Sequence, residues 1–194
     1  MITGIILASG FSRRMGSDKL LLPVDGIAMV ERVMRAADAS ALDDVILVYQ
    51  NPDVLRLAGR YRIRPAYNPD AALGQSASIR AGLRAARPRT RAYMFLTGDQ
   101  PRLDHGTINL IARAWQDCPE CIVVPSYGGR RGSPTVFPAH CRDSLLALTG
   151  DTGGRSLIER CPDMVRCISM PDDTAGIDVD TPAEYEHCTH GRNS

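Results

Sequence analysis

The 194-residue sequence carries almost no net charge: 23 Lys and Arg stand against 22 Asp and Glu, a formal +1 at pH 7. Without a field of one sign the chain is not built to hold a nucleic-acid backbone or an anionic membrane, so any anion it binds must be bound locally. No apolar run approaches the roughly 18–20 residues of a membrane span. Met1 to Leu7 is too short for a signal-peptide apolar region before Arg13 and Arg14, and a cytoplasmic protein is expected. Six cysteines are too sparse and uneven for a disulfide scaffold, so reduced thiols are expected. The lone Cys118-Pro119-Glu120-Cys121 lacks the second pair or nearby histidines that zinc needs. His105, His140, His187 and His190 are scattered, which leaves no case for a Ser-His-Asp hydrolase. Neither common phosphate-binding glycine signature is present: Gly16 is not followed by Lys-Ser or Lys-Thr, and Gly-x-Gly-x-x-Gly is absent.

What is present reads as one compact globular domain over residues 1–194, with 44% hydrophobic and 23% charged residues. Thr3 to Ala8 is a short continuous apolar run ended by Ser9-Gly10, as a central parallel strand buried on both faces requires. A helix follows over Met29 to Ala39 and a second buried strand over Asp44 to Tyr49, which makes one βαβ unit. The alternation continues with a helix over Asp53 to Arg60, a strand over Ile63 to Tyr67, a helix over Ser76 to Ala86 and a strand over Ala92 to Thr97. Thr107 to Trp115 reads as a helix, Cys121 to Pro125 and Pro134 to Phe137 as strands, and Arg142 to Leu148 and Ser156 to Arg160 as helices. Short strands at Met164 to Ile168 and Gly176 to Val179 precede a last helix from Thr181. The pattern predicts a three-layer α/β/α domain with a mostly parallel, Rossmann-like sheet, whose ligands sit outside the carboxyl ends of the strands.

The loops after those strands carry the candidate chemistry. Gly10-Phe11-Ser12-Arg13-Arg14-Met15-Gly16-Ser17-Asp18-Lys19 offers two glycines for close backbone approach, a planar guanidinium at Arg14 and a compact charge at Lys19. That set suits a polyphosphate, and a solvated glycine turn would look the same. Asp99, in Phe95-Leu96-Thr97-Gly98-Asp99-Gln100-Pro101, puts a carboxylate at a strand end facing that loop, as Mg²⁺ needs; the alternative is a helix cap, a role Asp104 fills better. In Ile177-Asp178-Val179-Asp180-Thr181-Pro182, two carboxylates spaced by two on an extended segment point the same way, and Asp180 is either a metal ligand or a helix cap. Gly74-Gln75-Ser76-Ala77-Ser78 sets an amide and two hydroxyls at a helix start, where free N–H groups favour an anion or a polar base edge, and Ser76 or Ser78 could equally be a plain cap. Gly150-Asp151-Thr152-Gly153-Gly154-Arg155 is either a cradle for an anionic acceptor or a simple turn.

The stretch from Leu7 to Pro23, LASGFSRRMGSDKLLLP, closely resembles the opening signature of the MobA-like nucleotidyltransferases, and best their molybdenum-cofactor cytidylyltransferase branch. The resemblance runs from Leu7 to Glu184 with four motifs in order. It implies the nucleotide-diphospho-sugar transferase fold, with the nucleoside triphosphate wrapped by Leu7, Ala8, Ser9 and Gly10 at base and ribose and by Arg14 and Lys19 at the phosphates. It further implies Gln75 and Ser76 on the nucleotide, Mg²⁺ held by Asp99 and Asp180 with Asp178 in support, and Arg14, Lys19 and Asp99 as the catalytic set. The implied reaction is CMP transfer from CTP to the phosphate of a molybdopterin-type acceptor, with pyrophosphate released and a molybdenum hydroxylase as possible recipient of the product. Ser9 matches neither the Ala of the cytidylyl branch nor the Gly of the guanylyl branch, whereas Gln75-Ser76 and the Gly132-Ser133-Pro134 turn favour cytidine. Ser133 replaces that branch's usual histidine. The alternatives are a GTP-dependent guanylyltransferase, a non-catalytic molybdenum-cofactor carrier, and an NAD(P)-dependent oxidoreductase, against which the missing dinucleotide signature counts.

Overall fold

A computed structural model describes residues 1–10 and 18–190, so Arg14 lies outside the described residues. The chain runs β1 (Ile2–Ala8), β2 (Pro23–Val24), β3 (Ile27–Ala28), α1 (Met29–Asp38), β4 (Asp44–Tyr49), α2 (Pro52–Ala58), β5 (Arg64–Tyr67), α3 (Gln75–Ala85), β6 (Ala92–Thr97) and α4 (His105–Asp117). It continues β7 (Ile122–Tyr127), β8 (Arg130–Arg131), β9 (Thr135–Pro138), α5 (Arg142–Leu146), α6 (Arg155–Arg160), β10 (Val165–Ser169) and α7 (Pro182–His190).

The main sheet has the order β10-β7-β9-β6-β1-β4-β5, with β8 paired to β7. All of its neighbours along that order are parallel except those of β9, which runs antiparallel between β6 and β7. Side chains alternate across each strand, so Ile2 and Ile6 of β1 with Val45 and Leu47 of β4 meet Val30, Met34, Ile108 and Trp115 of α1 and α4 on one face. Ile5, Ile46 and Val48 meet Ile79 and Leu83 of α3, with Leu145 and Leu157 of α5 and α6, on the other. These are the three layers the sequence predicts, and the continuous apolar runs of β1, β4 and β6 follow from burial on both faces. No helix among the described residues is long and apolar enough to cross a membrane.

Two expectations are corrected. Gly176 to Val179 is not a strand: Thr174–Gly176 is a 3-10 turn, and the segment after it bonds through Val179 N to the carbonyl of Asp99 (3.0 Å) rather than along a ladder. Cys118 and Cys121 are not reduced thiols, since their Sγ atoms are joined across a turn that sets their Cα atoms 5.5 Å apart, within disulfide reach.

Cys141, Cys161, Cys167 and Cys188 are free. Burial, with a smaller push from Cys161, raises the Cys141 thiol to about 11. Its native form holds its proton longer than the unfolded chain does, so its contribution to stability falls as pH rises from about 9 toward about 11. At pH 8, N-ethylmaleimide is expected to label exposed Cys167 within minutes and Cys141 only on unfolding, which peptide mass spectrometry reads; labelling of both at one rate would refute this.

Candidate active site

At the carboxyl ends of β1 and β6 the chain opens a cleft of about 780 Å³, lined by Leu7, Ser9, Gly10, Lys19, Gln75, Thr97, Asp99 and Asp180 among others. Seven of the residues that the resemblance implies on the nucleotide or the metal are thus brought together. Two are not: Ala8 turns into the core, and the fully buried Ser76 hydroxyl accepts from Arg80 Nη1 (3.1 Å). Ser78, two residues on, reaches the cleft instead. It shares a buried hydroxyl contact with Ser9 (2.8 Å), and Asn68 Nδ2 donates to both, at 3.0 Å to Ser9 and 3.3 Å to Ser78. Asn68 follows β5 at its carboxyl end, a position that could have been suspected from the topology alone.

The charged centre lies where β6 ends. Lys19 Nζ donates to Asp99 Oδ2 (2.7 Å), to Asp180 Oδ1 (2.6 Å) and to the carbonyl of Val179 (3.1 Å). Lys19 is placed by the 3-10 turn it opens: Asp18 caps that turn by accepting from Leu20 N (3.2 Å), and Asn51 Nδ2 holds the other Asp18 oxygen (2.7 Å). Burial pulls the Lys19 ammonium down, but the charge of Asp99 and the hydrogen bonds to Asp180 and Asp99 outweigh it, so its pKa is raised. Val179 is wholly buried and plugs the small core shared by Val24 of β2, Met29 at the start of α1 and Cys188 of α7, which turns Asp178 and Asp180 outward on either side of it. Asp178 has its residue surface open to solvent, but its carboxyl is packed in among neighbours, and this desolvation, then the charges of Asp99 and Asp180, raises it to about 6.

Neither candidate metal ligand is a helix cap. Asp104 caps α4 by accepting from Thr107 N (2.7 Å). Thr181 caps α7 in a reciprocal capping box: its Oγ1 accepts from Glu184 N, and the Glu184 carboxylate accepts from Thr181 N and Asp180 N, both at 2.8 Å. Asp99 Oδ1, moreover, is buried with no hydrogen-bond partner among the described residues. A hard cation suits such an oxygen, and Mg²⁺ takes one or two carboxylates with phosphate and water for the rest. Among the described residues no three His, Cys, Asp or Glu side chains form a metal cage by themselves, so a bound ion would depend on that phosphate and water.

The start of α3 departs from expectation. Its first N–H groups are not free for an anion: Gln75 N donates to Asp151 Oδ1 and Ser76 N to the carbonyl of Gly150, both at 3.2 Å. Gly74, at φ +94°, permits this approach, because a Cβ there would lie 2.6 Å from Gly150 backbone atoms. The 150–155 loop therefore clasps α3, and Arg155 pairs with Glu159 in the solvent. Ser133, joined to Pro134 by a cis bond, sets its hydroxyl 3.5 Å from that of Thr97 at the cleft edge.

A model of the MobA-like NTP transferase domain matches residues 4–165. The chain belongs to this family. Its MobA-like relatives carry several names. The purine catabolism protein PucB of Bacillus subtilis is 31% identical over 95% of this chain and 94% of that protein. Nicotine blue oxidoreductase of Paenarthrobacter nicotinovorans is 29% identical over 93% and 92%. The molybdenum cofactor cytidylyltransferase of Escherichia coli is 28% identical over 93% and 92%, while a guanylyltransferase of Mesorhizobium japonicum is 32% identical over 79% and 75%. Among solved structures, Rv0371c of Mycobacterium tuberculosis in complex with manganese superposes with a TM-score of 0.79 at 25% identity, covering 97% of both chains. The fold is that of the nucleotide-diphospho-sugar transferases, and the MobA-like chain is a nucleotidyltransferase by family.

Proposed function

We propose that the protein transfers CMP from CTP to the phosphate of a molybdopterin-type acceptor, releasing pyrophosphate, with Mg²⁺ held by Asp99 and Asp180. The observation that carries this reading is the convergence of Asp99, Asp180 and Lys19 at one end of a cleft of about 780 Å³, roomy enough for a nucleoside triphosphate. The unpartnered buried oxygen of Asp99 supports a cation there, and that a Mycobacterium protein of the same fold is solved in complex with manganese supports a divalent ion in the reaction. Gln75 and the Gly132-Ser133-Pro134 turn support cytidine over guanine, and the relatives include both a cytidylyltransferase and a guanylyltransferase.

A phosphate oxygen of the acceptor attacks the α-phosphorus; the new P–O bond forms as the bond to the α–β bridging oxygen breaks, and pyrophosphate leaves. No protein nucleophile is needed, because the acceptor phosphate is already an anion, and such transfers gain chiefly from alignment and charge. Mg²⁺, when bound, would supply Lewis-acid neutralisation of the phosphate charge. Lys19, released from Asp99 and Asp180, carries its ammonium to the same phosphates. Leu7, Ser9 and Gly10 form the floor on which base and ribose rest, and Gln75 borders them.

Thermal stability with CTP, GTP, ATP or NADPH, each with and without Mg²⁺, tests the reading, since a ligand of the native state raises the melting temperature by mass action. The expected result is a Mg²⁺-dependent rise for CTP, roughly 2.7 kcal/mol at a hundredfold excess over Kd, followed by pyrophosphate release when molybdopterin is added. A rise with GTP alone moves the protein to guanylyl transfer, a rise with NADPH alone to redox chemistry, and CTP binding without pyrophosphate to a carrier.

A further inference from the structure

One remote loop holds a single cleft residue, Gln75, by two contacts and its neighbour Ser76 by a third. Asp151 Oδ1 accepts from the backbone N–H of Gln75, and the carbonyl of Gly150 accepts from the next N–H, that of Ser76, both at 3.2 Å. The Gln75 side chain lies against Gly153: the nearest atoms to a Cβ built on Gly153 are the Gln75 Oε1, Cδ and Nε2, and Oε1 is already within overlap distance. Behind the loop, Arg80 Nη1 donates to the carbonyl of Leu148 (2.5 Å), and Gly154 abuts the ring of the buried Phe137. The loop is thus fixed to the body of the domain, and Gln75 is held by it at backbone and carboxamide alike, although the two lie 76 residues apart.

We propose that the 150–153 loop sets the base preference of the cleft through Gln75, with Gly153 as the positioning residue that fixes where the carboxamide points. A carboxamide presents a donor on one side and an acceptor on the other, so its orientation decides which pattern on a base edge it can meet. The wall behind it is a hydrogen atom rather than a methyl, which leaves the carboxamide room to lie against Gly153. The inference rests on reading the cleft as a nucleotide site.

Gly153→Ala isolates the effect. Gly153 is outside the left-handed region, so alanine is compatible with its backbone, and the clash falls on the far end of a flexible side chain, which can swing away. In the full chain with Mn²⁺, calorimetric titration of CTP, GTP and ATP into wild type, Gly153→Ala, Gln75→Ala and the double variant reads the outcome. The ratio of CTP to GTP affinity is expected to change about fivefold in Gly153→Ala, the order of one neutral hydrogen bond gained or lost, with the ligand-free melting temperature unchanged. Gln75→Ala is expected to shift the ratio comparably, and the double variant to match Gln75→Ala alone. An unaltered ratio in Gly153→Ala, a ratio altered only alongside a lowered ligand-free melting temperature, or full additivity in the double variant would overturn the proposal while leaving the nucleotide site intact. Wild type binding none of the three would instead remove the nucleotide reading itself, and the proposal with it.

Discussion

Asp99→Asn is expected to lower turnover by roughly 10²–10³-fold, the scale on which loss of one preorganised charge contact at a transition state is felt. The substitution keeps volume and the planar group but halves the acceptors, and the oxygen lost to a cation is the buried one that nothing else in the described chain satisfies. Asn is also neutral, so it draws in a divalent ion far less. Free Mn²⁺, read by electron paramagnetic resonance beside excess CTP, is expected to remain largely unbound in the variant where wild type depletes it. The fold is expected to survive. Lys19 retains Asp180 and the carbonyl of Val179, and removing one of three crowded carboxylates lets Asp178 relax back toward its ordinary range. Turnover within tenfold of wild type, with unaltered Mn²⁺ depletion, would show that Asp99 is not a metal ligand. Depletion unaltered but turnover lost would assign Asp99 to holding Lys19 alone.

The architecture was legible wherever one physical cause dominated. β1, β4 and β6 are hidden on both faces, and no pattern other than a continuous apolar run satisfies that; Asp99 then stands out as the first carboxylate beyond such a run. Asp178 and Asp180 were legible as a pair for a reason that only half held. Their alternation with apolar residues reads as a strand, but it is satisfied here by a single buried Val179 and one bond to the end of β6. What was not legible depends on chain segments far apart. Nothing local to Gln75 announces that Asp151 will occupy its N–H, so a helix start that reads as an open anion site is in fact closed. The serine assignment slipped for a related reason: Ser76 and Ser78 are equivalent on paper, and only the helix phase, which turns one toward Arg80 and the other toward Ser9, separates them. The short β2, β3 and β8 pieces carry too few residues for any period to show.

Lys19→Met is expected to show a dependence on divalent ions that a merely structural lysine would not. The Lys19 side chain is 14% exposed, and its ammonium holds Asp99 and Asp180 together at 2.7 and 2.6 Å. Methionine keeps most of the stem's packing and removes the charge, leaving carboxylates that repel one another. A hydrogen bond to a charged group contributes about 1.5–3 kcal/mol, and the half-exposed Asp180 places its share near the lower end. In a domain of this size each 1 kcal/mol moves the melting temperature by about 2–4 °C, so a fall of roughly 3–8 °C is expected in EDTA. The raised pKa gives the pH window: this stability is fully present below the ordinary lysine value of 10.5 and is lost only as pH climbs through the higher folded value. The deficit is accordingly expected to be constant between about pH 7.5 and 9. In millimolar Mn²⁺ it is expected to shrink, since a cation that takes the same two carboxylates replaces the missing charge by mass action and binds the variant more tightly than wild type. Turnover nonetheless falls by the same roughly 10²–10³-fold as for Asp99→Asn, because the replaced charge cannot follow the phosphates. Equal destabilisation with and without Mn²⁺ would mean that ammonium and metal occupy separate places, and Asp180 would then no longer be a candidate ligand for the ion.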